Sequence, residues 1–130
     1  MPTFPGVEAV LVEFLAGELG VRVCTELPAD LGDVLPVVQV VRVGGGHDDN
    51  ETSLQSPTLS VDVFARDRGA ATSLAQDVDT TLRRRLPGQT ILGASAGRVR
   101  TITGPAWRPW DDITLRRFGG TYQLWIRVPI

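Results

Sequence analysis

Five valines stand in the eight residues PVVQVVRV, from Pro36 to Val43. A helix is a poor home for them, because a branched β-carbon loses side-chain freedom against the preceding turn and packs well on a pleated surface. The segment is therefore read as a strand. It does not alternate cleanly: Val37, Val41 and Val43 share a face with Gln39, while Val38 and Val40 share the other with Arg42. Both faces are partly apolar, which places this strand centrally in its sheet.

The rest of the chain is organised around that sheet. Val7, Val10, Leu11, Phe14, Leu15 and Leu19 recur at helical spacing, so a first helix is expected over Val7 to Leu19, with Pro5 before it and Gly20 ending it. A short strand, Val21 to Thr25, and an irregular stretch, Glu26 to Leu35, lead to the valine run. After it, Gly44 to Ser56 (GGGHDDNETSLQS) reads as a long polar loop, and Thr58 to Ala65 as a strand with Leu59, Val61 and Val63 facing the core. Asp67 is a plausible N-cap for a second helix whose apolar stripe is Ala71, Leu74, Ala75, Val78, Leu82 and Leu86, stopped at Pro87-Gly88. Thr90 to Leu92 reads as a short edge strand and Arg98 to Thr103 as an alternating one. A loop rich in proline and tryptophan, GPAWRPWDD, separates these from a last strand, TYQLWIRV, with Tyr122, Leu124, Ile126 and Val128 on one face. The order α-β-β-β-α-β-β-β predicts an α+β fold: a mixed, mainly antiparallel sheet with two helices packed on one face.

Length and charge narrow the possibilities. The chain has 130 residues, a usual size for one domain, and residues 1–130 are read as a single unit without repeats or linkers. No stretch approaches the roughly 20 apolar residues that span a bilayer, so no membrane partner is expected. Glu8, Glu13 and Glu18 interrupt the apolar N-terminal part, and no basic residue precedes it; it makes a poor signal peptide, and a cytoplasmic place of synthesis and assembly is expected. A net charge of −2, with 13 arginines and no lysine, argues against general attraction to nucleic acid.

The search for chemistry finds no catalytic constellation. Cys24, the single cysteine, reads as a small apolar residue, and the single histidine, His47, lies far along the chain. GGGHDD lacks the lysine and following helix of a phosphate loop. His47, Asp48 and Asp49 are adjacent, so their side chains do not converge on one ion, and neither metal nor cofactor is expected. Asp111-Asp112 reads as a turn rather than an acid–base pair, and Arg83-Arg84-Arg85 as a solvated helix end favoured by the helix dipole. Trp107 and Trp110 are expected to fold back as a lid on the core. Trp125, with Thr121, Gln123 and Arg127, lies on the less apolar face of the last strand, and Phe64 is placed similarly beside Ser60 and Asp62. If the helices cover the opposite face, these aromatics need a loop or another subunit over them.

Taken in order, VEAVLVEFLAGELGVRVCTELPADL, PVVQVVRVGG, SVDVFA, AATSLAQDVDTTLRRRLPG, TGPAWRPWDD and RRFGGTYQLWIRV resemble the tail terminator proteins of long-tailed (siphovirus-type) bacteriophages infecting actinobacteria. The likeness covers nearly the whole chain, and its specificity lies in the order of soft motifs. It implies a structural virion protein, not an enzyme. This would be a ring, usually hexameric, at the head-proximal end of the tail, with itself, the tail tube protein and the head–tail connector as partners. Genome DNA would pass through the ring without specific binding. The resemblance carries over no site residue. Candidate assembly contacts come from the residues themselves: Phe64 and Trp125 on the sheet, and His47, Asp48, Asp49 and Glu51 in the long loop. Another phage neck protein, and more remotely a small-molecule binding domain or enzyme, are the alternatives.

Overall fold

The computed structural model describes residues 4–48, 51–112 and 114–129. Its first helix, α1, spans Val7–Leu19 and ends where Gly20 adopts φ 67°, donating its N–H to the Ala16 carbonyl at 3.0 Å. That left-handed conformation is cheap only for glycine, so the sequence fixes the stop. Val7, Val10, Leu11, Phe14 and Leu15 are buried on one face, each worth roughly 1.5–3 kcal/mol against leaving it in water. Strand β1 (Arg22–Cys24) and a short 3-10 turn (Leu31–Asp33) follow, then β2 (Val37–Asp48) and β3 (Glu51–Ala65). Helix α2 covers Arg68–Arg84, and β4 (Thr90–Ile91), β5 (Ala94–Trp107) and β6 (Arg116–Arg127) complete the chain. The carboxylate of Asp67 accepts the Ala70 N–H at 2.8 Å, which is the cap read from the sequence.

The six strands form one sheet in the order β1-β2-β3-β6-β5-β4. Only β1 pairs in parallel, with Val37–Gln39 of β2; the other neighbours are antiparallel. Both helices pack on one face, against Val38, Val40, Leu59, Val61, Tyr122 and Ile126. This is the α+β arrangement expected. Within that interface the Tyr122 hydroxyl donates to Asp79 at 2.9 Å, and burial pushes the phenol well above its ordinary value. Among the described residues, no helix is long and apolar enough to cross a membrane.

Two expectations need correction. The segment Gly44 to Ser56 is not a loop. β2 continues to Asp48 and β3 starts at Glu51, and their pairing runs through Gly46↔Ser56 and His47↔Gln55 to Asp48↔Glu51. The glycines permit it: Gly45 takes φ 86°, and a Cβ there would lie 2.6 Å from the Pro57 Cα. Tertiary pairing has overridden weak strand propensity. The second correction concerns β5, which runs on through Gly104, Pro105 and Ala106 to Trp107 with three register shifts against β6, so half of the expected proline–tryptophan loop is strand.

Candidate assembly surfaces

The sheet face opposite the helices falls into three zones along the strands. At one end, Phe64 is fully buried, together with Val37, Leu31 and Leu115. The ring of Trp110 meets it edge-on at 5.0 Å. The chain's own β5–β6 connection is therefore the cover: of the loop or second subunit expected over Phe64, the structure supplies the loop. Trp107 does not join this lid. It stands 43% exposed on the helix side, edge-on to Phe118 at 5.6 Å, with the Arg68 guanidinium 5.7 Å away.

In the middle lies a polar knot. Asp62, 2% exposed, takes Arg108 at 2.8 Å on Oδ1 and Arg117 at 3.1 Å on Oδ2. Arg108 also donates to Ser60 at 2.7 Å and to Thr121 at 3.0 Å. A carboxylate this deep persists only when paired and hydrogen-bonded. Gly119 makes room for it, since a Cβ there would overlap Asp62 Oδ1 and lie 2.9 Å from the Val61 carbonyl. The knot ties the β5–β6 connection to the sheet centre. Asp62 on a strand between valines was the sequence signal for it; its partners, 46 and 55 residues away, gave none.

The third zone is left uncovered by the chain's helices. Trp125 is half-buried there, with the Arg98 guanidinium 5.1 Å from its ring centre and Arg100 paired in register with Gln123. Beside it runs the β2–β3 arm, whose base is braced by Arg42: its backbone N–H donates to Glu8 at 2.9 Å and its guanidinium to Gln55 at 3.2 Å. Val43 at the base is 58% exposed. His47, Asp48 and Glu51 lie on the arm by their backbone placement; Asp49 falls outside the described residues. Trp125 and the arm thus flank one open region, whereas Phe64 belongs elsewhere.

The remaining polar motifs have structural duties. The Asp112 carboxylate accepts the Thr114 hydroxyl at 2.6 Å and its backbone N–H at 2.9 Å, which holds that carboxyl below its usual range. Cys24 donates weakly to the Val38 carbonyl at 3.7 Å, and burial pushes its thiol up, the opposite of an activated nucleophile. Arg83 pairs with Asp79 and Arg85 with Glu18. No group of three or more potential metal ligands occurs among the described residues.

Comparison with known proteins bears on what these surfaces serve. The phage tail termination protein family model matches residues 3–129. The chain belongs to the phage tail termination protein family. It is accordingly a structural component of a phage tail, in a family of virion proteins rather than enzymes. A chain in the virion of a native gene transfer agent particle has the same fold, with a TM-score of 0.61 at 13% identity, covering 93% of this chain and 94% of that one. No curated protein sequence matches.

Proposed function

We propose that this protein forms a ring, hexameric as the resemblance implies, that caps the head-proximal end of the tail tube. The ring ends tube polymerisation and then offers its other side to the head–tail connector. The family match over residues 3–129 carries this reading. The mechanism is geometric. One side of the ring matches the tube end, the other lacks a tube-like surface, and growth stops because the next tube ring finds no complement. The arm and Trp125 supply contacts between neighbours or with the tube, and the phage infects an actinobacterial host in whose cytoplasm the tail is assembled.

A neck protein of the connector type would share size and ring symmetry, and binding separates the two. Purified protein is expected to bind isolated tail tubes and to leave DNA-filled heads without tails untouched. The reverse preference would assign it to the connector.

A further inference from the structure

Charge is divided unevenly along the chain. The first 36 residues hold Glu8, Glu13, Glu18, Glu26, Asp30 and Asp33 against one arginine, whereas residues 94–130 hold six arginines against two aspartates. The fold gathers part of each group at one place. Glu8 and Glu13 of α1 and Glu26 beyond β1 line a groove along α1 together with Ala9, Val12 and Leu92, whereas Asp30 and Asp33 flank Leu31 in the turn that packs with Phe64. Arg98 and Arg100 stand with Trp125 on the sheet face that the helices do not cover.

Leu92 adds an independent observation. It sits at φ 52°, a conformation that L residues other than glycine, asparagine and aspartate avoid, and it is 46% exposed. Holding a leucine there strains the backbone and places an apolar side chain at the groove instead of in the core.

We infer that the Trp125–Arg98–Arg100 zone of one copy docks on the acidic α1 groove of the next copy. Resting on the ring reading above, this names its subunit contact. The occupant is a second copy because the chain carries both halves of the match: an aromatic and two guanidinia on one face, an acid-rimmed groove with Ala9, Val12 and Leu92 on the other. A sheet with helices on one face gains cover on its second face when the neighbour's helix layer lies against it. The contact joins two different surfaces, so it repeats head to tail and closes when the rotation per copy divides a full turn. It also leaves the arm outside the subunit contact, available to the tube.

Charge exchange tests this. Self-association is followed by sedimentation velocity, with and without isolated tail tubes as template. Arg98→Glu with Arg100→Glu is expected to weaken association about tenfold or more, and so is Glu13→Arg with Glu26→Arg, since each exchange sets like charges against each other across the contact. One chain carrying all four changes restores it, and so does mixing the two pair variants. Melting temperatures stay near that of the unaltered protein, as these residues are exposed. Rings that form normally in either pair variant would overturn this surface while leaving the ring intact. Failure of the unaltered protein to associate, tubes present or absent, would overturn the ring reading itself. Normal rings combined with lost binding of duplex DNA by the arginine variant would reassign the zone to nucleic acid.

Discussion

Asp62→Ala is expected to destabilise the protein by about 3 kcal/mol or more, because removing one partner of a buried ion pair leaves the other charges uncompensated. Here the loss is compounded. Arg108 and Arg117 both terminate on this carboxylate, so neither keeps a charged partner, and Arg108 is left with the hydroxyls of Ser60 and Thr121 alone. Arg108 lies in the connection that carries Trp110, so loosening it also uncovers Phe64. Urea unfolding at neutral pH measures the effect. A companion substitution checks the cause: Gly119→Ala drives a methyl into the Asp62 carboxylate and into the Val61 carbonyl. Its cost, roughly 1–3 kcal/mol for overpacking, should shrink when combined with Asp62→Ala, since the two changes share a contact. A loss below about 1 kcal/mol for Asp62→Ala would put the knot at the level of an ordinary surface pair.

The second large effect is expected at the arm, and in function rather than stability. Asp48 ends β2, Glu51 begins β3, and Asp49 lies between them in the sequence. Three like charges within four residues repel one another, so neutralising them does not cost the isolated subunit stability. Replacing all three (Asp48→Asn, Asp49→Asn, Glu51→Gln) should leave the melting temperature unchanged or slightly higher. Affinity for tail tubes should fall about tenfold at low ionic strength and much less at high salt, where screening already weakens the contact. Unchanged tube binding by the neutral arm would remove it from the tube contact.

Local chemistry made much of this fold legible in advance. The left-handed Gly20 and the Asp67 cap set helix boundaries through interactions within a few residues, and both appear as read. The arm was not legible, because Gly44 to Asn50 has the composition of a loop. What makes it strand is pairing with β3, itself held by β6 as far as Leu54↔Arg127. The facing of Phe64 and Trp125 was read correctly from alternation, but alternation says nothing about what lies above a face. One aromatic found cover in a connection from the far end of the chain, and the other did not. The Asp62 knot was hidden for the same reason, since its arginines come from the β5–β6 connection and the start of β6.

A protein that ends tail-tube growth sets tail length, and electron microscopy reads that length as a distribution. Tails assembled by a phage deleted for this protein are expected to be overlong, variable in length and without heads, and supplying the protein in trans should restore one sharp length. Headless tails of normal, uniform length in the deletion would show that another protein ends tube growth.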